Sequence, residues 1–191
     1  MNEYREPPRA QAAARILDAA LEELVARGAA SLAMHDVADR AGVSKGLIHY
    51  HFHDKNALLA EVAPRLGDRI AMRARGALAT SATASAIADL ERWLVREIEL
   101  GEWRGLLALA EWPAEGVRRA ARTALDDRRQ EMHRVLERLL SLLQIRTKMS
   151  LGPLTDLAIA VVSGLAAEIG SGRDPSPALD ALVMAFYRLG D

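Results

Sequence analysis

Hydrophobic residues recur three and four positions apart over most of the chain, and no segment alternates apolar and polar residues as a half-exposed strand does. The first periodic segment carries Ile16, Ala20 and Leu24 on one face and ends at Gly28. Further segments with helical periodicity lie at residues 87–100, 103–111, 117–143, 154–169 and 178–189. The pattern predicts an all-α protein of about nine helices, because segments of this length and period bury one face of a helix.

Residues 37–59, which read VADRAGVSKGLIHYHFHDKNALL, contain the most specific pattern in the chain. An apolar edge ends at Gly42, which can adopt the positive φ that a tight turn between two helices requires. Ser44 then caps a second short helix through its hydroxyl. Ile48 and Phe52 fall on the inner face of that helix. This arrangement predicts a helix-turn-helix, the layout with which many proteins read DNA.

The outer face of the second helix is polar, and it is where the major groove of DNA would lie. Four of the five histidines of the chain lie in or beside this segment, where protonation would add charge facing phosphate. The candidate DNA-binding residues in this segment are Ser44, Lys45, Gly46, His49, Tyr50 and His51.

Composition narrows the function classes. The chain has 191 residues, no cysteine and a net charge of -1, so any affinity for DNA must come from a local surface. Its longest apolar stretch, residues 157–167, is too short to span a membrane, and a cytoplasmic location is expected. No catalytic triad, phosphate-binding loop or paired-acid spacing is present, so we expect neither an enzyme nor a cofactor.

The helix-turn-helix, the aromatic residue before Asp54 and Lys55, and the helical remainder resemble the TetR family of bacterial repressors. The residues that carry the match are Val37, Ala38, Ala41, Gly42, Val43, Ser44, Gly46, Phe52, Lys55, Leu58 and Leu59. The resemblance implies a DNA-binding domain at residues 1–62 and a ligand-binding and dimerisation domain at residues 63–191. It also implies a homodimer on a palindromic double-stranded operator, released by a small-molecule effector, with Lys55 holding a phosphate.

Three departures from the usual family pattern affect the DNA-binding module. Ala33 replaces a hydroxyl cap, Leu47 replaces a threonine, and His49 replaces a tyrosine that often contacts DNA. The operator sequence therefore does not carry over from the family. The segment GLIHYHFHDKNALL resembles most the branch of choline and betaine regulators, and three tryptophans could form a cage for a quaternary ammonium ion.

Candidate effector and dimer residues lie in the C-terminal helices. For the effector we select the aromatic, methionine and neighbouring residues Trp93, Trp103, Leu107, Glu111, Trp112, Met132 and His133, for which plain core packing is an equally good interpretation. By resemblance the last two helices pair the subunits, through Leu157, Val161, Leu165, Leu182 and Phe186. The alternative function is a helical dimeric protein that binds a small molecule or partner without operator control.

Overall fold

The computed structural model describes residues 9–170 together with residues 174, 177, 178, 181 and 184. Within these residues it contains no strand, and the all-α prediction is confirmed. The helices are α1 (Arg9–Ser31), α2 (Met34–Ala41), α3 (Lys45–His51), α4 (Lys55–Gly76), α5 (Ala86–Glu99), α6 (Glu102–Ala110), α7 (Glu115–Leu143) and α8 (Leu151–Gly170), with a single 3-10 turn at Thr83–Ser85. Most of the predicted ninth helix, at residues 178–189, lies outside the described residues.

Two compact units divide the chain. The first comprises the chain up to Leu66 together with Gly105–Thr123, and the second comprises Gly67–Arg104 together with the chain from Ala124 onwards. Each unit combines separate stretches of the chain, so the units do not correspond to the two predicted domains. The boundary between a DNA-binding and a ligand-binding domain at residues 62 and 63 stays a prediction.

The first unit is built on α1, which packs against α2 and α3. Ile16, Ala20 and Leu24 form its buried stripe, as the sequence pattern predicts. Helical geometry is interrupted at Gly28, where φ is 81° and ψ is 158°, a conformation that only glycine adopts readily. The predicted end of the regular helix at Gly28 therefore has a backbone cause, although helical residues resume up to Ser31.

The helix-turn-helix forms as predicted. Gly42 has φ 62° and ψ 44°, and its N–H donates to the Asp39 carbonyl, which ends α2. The Ser44 hydroxyl accepts a hydrogen bond from the backbone N–H of Leu47 at 3.2 Å and so caps α3. Ile48 on α3 is buried together with Phe52, its C-cap. Side-chain capping is absent at the start of α2, as expected from an alanine at position 33.

The second unit places α5 against α8. Leu90, Leu94 and Ile98 form the buried stripe of α5. α7 approaches α4 closely at Gly67, because a Cβ built on this glycine would lie 2.7 Å from the Cβ of Ala124. This separation is shorter than real Cβ atoms tolerate, so the close packing of the two helices depends on the glycine.

One described helix has the length and composition of a membrane span, namely the Leu151–Glu168 part of α8. The buried core helices of soluble proteins have the same composition, so this property alone is weak evidence for a membrane. Leu154, Ala158 and Val162 of α8 are buried within the second unit.

Candidate nucleic-acid interface and effector region

The outer face of α3 is exposed in the structure. Lys45, Gly46, His49 and Tyr50 are all exposed, and Tyr50 keeps 59% of its surface accessible. The capping residue Ser44 is exposed beside them. Four adjacent residues on one side of a short, capped helix can therefore reach base edges and phosphates without any change of the fold.

His51 differs from the other candidates on α3. Its side chain is half-buried, and its ring lies 5.3 Å from the Tyr50 ring and 6.2 Å from the Phe52 ring. Its Nε2 atom is buried and makes no hydrogen bond within the described part of the chain. DNA contact by His51 stays a prediction, and in the structure the ring packs against its neighbours Tyr50 and Phe52 at the end of α3.

Lys55, at the start of α4, is already engaged by protein groups. Its Nζ donates to the Ala30 carbonyl at 2.9 Å and lies 5.3 Å from the centre of the Trp112 ring. Burial lowers its pKa from the usual lysine value. Trp112 in turn donates from Nε1 to Asn56 Oδ1 at 2.9 Å. These contacts fix the start of α4 directly after the helix-turn-helix, and a phosphate contact by Lys55 stays a prediction.

A buried carboxylate on α1 holds α2 in place. Glu23 accepts hydrogen bonds from Arg40 at 2.8 Å to Nε and 2.6 Å to Nη2. Hydrogen bonds to Glu23 and then Glu22 raise the pKa of Arg40. Sequence reasoning missed this pair, although a signal exists: Glu23 lies seven residues after Ile16, on the apolar stripe of α1.

The predicted effector residues fall into both units. Leu107 and Trp112 are half-buried and Glu111 is exposed, and all three belong to the first unit. Trp93, Trp103 and Met132 are buried in the second unit, where His133 is half-buried. His133 Nδ1 lies 3.1 Å from Thr155 Oγ1. Because the Thr155 hydroxyl donates to the Leu151 carbonyl, it accepts from His133, whose Nδ1 therefore carries the proton.

The second unit contains a buried network of charges that the sequence analysis did not identify. Glu97 and Glu102 are 1% and 2% exposed. Arg73 donates from Nη2 to Glu97 Oε2 at 3.0 Å and to Glu102 Oε2 at 2.6 Å, and it makes a further short contact with Glu97 through Nε. Arg69 pairs with the other oxygen of Glu102 at 2.9 Å. Burial acts to lower the pKa of Arg73, but the hydrogen bonds to Glu97 and Glu102 outweigh it and raise the value.

Arg128 on α7 is buried in this unit, whereas Arg73 is half-buried and Arg69 is exposed. Its guanidinium lies over the ring of Trp103, whose Nε1 donates to Ser163 Oγ at 3.2 Å. The Nε and Nη2 atoms of Arg128 are buried and have no hydrogen-bond partner among the described residues. Burial lowers the pKa of Arg128, and the charge of Glu97 acts in the opposite direction.

The predicted dimer face is only partly accessible. Leu157 is 55% exposed and Val161 is half-buried, so both can meet another chain. Leu165 is buried and contributes to the core of its own unit. Leu182 and Phe186 lie outside the described residues.

Comparison with known proteins shows what the helix-turn-helix is similar to. Residues 16–62 match the profile of the bacterial regulatory proteins of the tetR family. The first module of this chain is similar to the N-terminal domain of that family. The matched residues run from the buried stripe of α1 through α2 and α3 into α4, so they include the whole helix-turn-helix.

The sequence similarity to curated relatives covers only part of this chain. The transcriptional activator FasR of Mycolicibacterium smegmatis is 39% identical over 74 residues, which cover 39% of this chain and 34% of FasR. The chain therefore matches about a third of the length of this curated relative. The similarity is to transcriptional regulators rather than to enzymes.

Solved structures show that the TetR fold covers both units. A protein from Rhodococcus sp., described as a TetR-family transcriptional regulator, is 26% identical with a TM-score of 0.71, covering 95% of this chain and 100% of that one. A transcriptional regulator from Saccharomonospora viridis, solved in complex with choline, is 21% identical with a TM-score of 0.69, covering 94% of this chain and 96% of that one. The second likeness concerns the fold alone.

Proposed function

We propose that this protein is a DNA-binding transcriptional regulator, most economically a ligand-responsive repressor that binds a palindromic operator as a homodimer. The observation that carries the proposal is the exposed outer face of α3, formed by Lys45, Gly46, His49 and Tyr50 on a module that matches the TetR family. A cytoplasmic location follows from this function, because the operator lies on the bacterial chromosome.

The proposed mechanism of DNA binding is local. With a net charge of -1, the chain as a whole does not attract phosphate. Lys45 supplies charge at the start of α3, and Tyr50 offers a hydroxyl and a ring one turn further along. In a homodimer, two copies of α3 would enter successive major grooves, roughly 34 Å apart. Because this spacing must match the operator, a small effector-induced shift would lower affinity, provided that the effector binds the non-DNA state more tightly.

The identity of the effector does not follow from the choline complex of the S. viridis protein, whose likeness is limited to the fold. A cage of three tryptophans also lacks support in this chain. Trp112 is engaged by Asn56 and Lys55, and the ring of Trp103 is covered by Arg128. We therefore do not extend the choline or betaine branch to this protein. Dimerisation through the exposed Leu157 and the half-buried Val161 remains part of the proposal.

A titration of purified protein against the DNA upstream of its own gene and its neighbours, at two salt concentrations, tests the proposal. Lys45→Ala should weaken binding about tenfold and reduce the salt slope by about 1, because one phosphate contact is lost. Tyr50→Ala should also weaken binding. The control is Lys148→Ala, which removes an exposed lysine from the segment between α7 and α8 in the second unit.

Two outcomes would contradict the proposal. Weak, sequence-independent binding would favour the alternative, a helical dimeric protein that binds a small molecule or a partner without operator control. Specific binding that falls equally with Lys148→Ala and Lys45→Ala would show that DNA does not contact α3. Reporter expression in a deletion strain then separates repression from the activation for which FasR is named.

A further inference from the structure

Arg128 is a buried cation in the second unit that has no anion of its own. It is 3% exposed, and two of its three guanidinium nitrogens have no hydrogen-bond partner within the described chain. The ring of Trp103 lies against the guanidinium, and the charge of Glu97 acts on it without a hydrogen bond between the two residues. A buried guanidinium normally has hydrogen-bond partners for its donors, so this exception needs an explanation.

The two buried carboxylates nearby do not provide those partners, because other arginines already satisfy them. Arg73 pairs with both oxygens of Glu97 and also reaches Glu102. Arg69 pairs with the remaining oxygen of Glu102. Arg128 therefore keeps its Nε and Nη2 donors without a carboxylate partner among the described residues.

Buried residues flank Arg128 on α7, and the carboxylate among them, Glu131, is paired with Arg75 and Arg134. Ala124 and Met132, one turn before and one turn after it on the same face, are both buried. An uncompensated charge in such a place is destabilising, and an apolar side chain of similar volume would be as stable or more stable. A buried arginine without partners is therefore explained better by ligand binding than by the stability of the unit.

We propose that Arg128 anchors the carboxylate of an organic acid whose apolar or aromatic body lies in the second unit, and that this acid is the effector. The inference rests on the proposed function and names its ligand class. A planar guanidinium with free Nε–H and Nη–H groups matches the two oxygens of a carboxylate, and an incoming anion would pair with the buried charge of Arg128. The Trp103 ring lies against the guanidinium, and an aromatic face favours a positive charge beside it.

A groove along α5 lies beside the same charge network. Its volume is about 1100 Å³, and Arg73, Trp93 and Glu97 are among the residues that line it. This volume is sufficient for a small organic molecule. Arg128 does not line the groove, and its link to the groove is Glu97, whose charge acts on it. Trp93 lines the groove, and its Nε1 atom is buried without a hydrogen-bond acceptor within the described residues, so it is a second unused donor in this part of the second unit.

Isothermal titration calorimetry of the full chain tests the inference with octanoate, decanoate, benzoate and phenylacetate. Octanol and phenylacetamide serve as uncharged counterparts, and choline as a cation. We expect saturable binding of at least one acid, at least roughly tenfold tighter than its uncharged counterpart, because hydrogen bonds to a charged group are the stronger ones. Arg128→Met should weaken that binding by roughly tenfold or more.

The matched control is Arg129→Met, which removes the next arginine of α7. Arg129 lies on the surface and pairs with Asp156 at 2.7 Å. It should leave acid binding unchanged. Thermal unfolding gives a second readout that needs no ligand: Arg128→Met should melt at the wild-type temperature or above it, because a buried, unpaired charge has been removed.

Three results would overturn the inference. They are the absence of saturable binding by any of the four acids, equal binding of an acid by wild type and Arg128→Met, and a clearly lower melting temperature for Arg128→Met alone, which would show a structural cation. The DNA titration is separate. Acid binding without specific DNA binding would refute the proposed regulator while leaving the Arg128 site in place, and the reverse would refute the site alone.

Discussion

A substitution at Gly46 should change the stability of α3 and its contact with DNA in opposite directions. Gly46 is the second residue of α3 (Lys45–His51), and a Cβ built on it would meet nothing closer than Ser44 Oγ at 4.0 Å. Alanine therefore fits without a clash. Glycine within a helix costs about 0.5–1 kcal/mol relative to alanine, and the first turn lies at the lower end. Gly46→Ala should raise stability by about 0.5 kcal/mol, or roughly 1–2 °C in melting temperature for a chain of this size.

The same substitution should weaken DNA binding. Gly46 is exposed and lies three and four residues before His49 and Tyr50, so all three share the outer face of α3. Glycine allows a close approach of the helix backbone to DNA, and a methyl group there would occupy space that the groove wall needs. We expect an affinity loss of about tenfold, equivalent to about 1.4 kcal/mol.

Thermal unfolding followed by circular dichroism and a DNA titration by fluorescence anisotropy measure the two effects on the same samples. Gly116→Ala is the matched control, because Gly116 is the second residue of α7, is exposed and would place a Cβ in open space. It should give a similar small gain in stability with unchanged DNA affinity. A stabilised Gly46→Ala protein with wild-type affinity would refute close contact between DNA and the outer face of α3.

Two further predictions concern the second unit. Gly67→Ala should destabilise the protein by about 1–3 kcal/mol in chemical denaturation, because its Cβ would lie 2.7 Å from that of Ala124. Adding Ala124→Gly should restore part of the lost stability. A Gly67→Ala variant as stable as wild type would contradict the close packing of α4 and α7. Burial acts to raise the pKa of Glu131, but hydrogen bonds from Arg134 and Arg75 outweigh it and lower the value. The ionised Glu131 therefore stabilises the protein above the unfolded pKa of about 4.3, and this stability is lost as pH falls through the lowered folded pKa. Glu131→Gln should be less stable than wild type at pH 7 and equally stable in strong acid. A stability difference that does not change with pH would refute the role of the Glu131 charge.

The sequence was sufficient to predict the helix-turn-helix because its signals are local. The positive φ of Gly42, the cap by Ser44 and the inward Ile48 each depend on residues within one or two turns. The engagement of Lys55 was not predictable in this way, because Ala30 and Trp112 lie 25 and 57 positions away along the chain. The partners of a long, flexible side chain are decided by tertiary packing, which helical periodicity does not specify.

Charged residues on the apolar stripe of a helix indicate buried charges, which neither the composition of the chain nor its motifs reveal. Glu23, Glu97 and Arg128 each lie seven residues after an apolar stripe residue of their helix, and each is buried. The two carboxylates have arginine partners on a neighbouring helix, at Arg40 and Arg73, so their burial is explained by the fold. Arg128 lacks such a partner among the described residues. A charged residue on an apolar stripe can therefore either pair within the fold or bind a ligand. Only the pairing in the three-dimensional structure distinguishes the two cases.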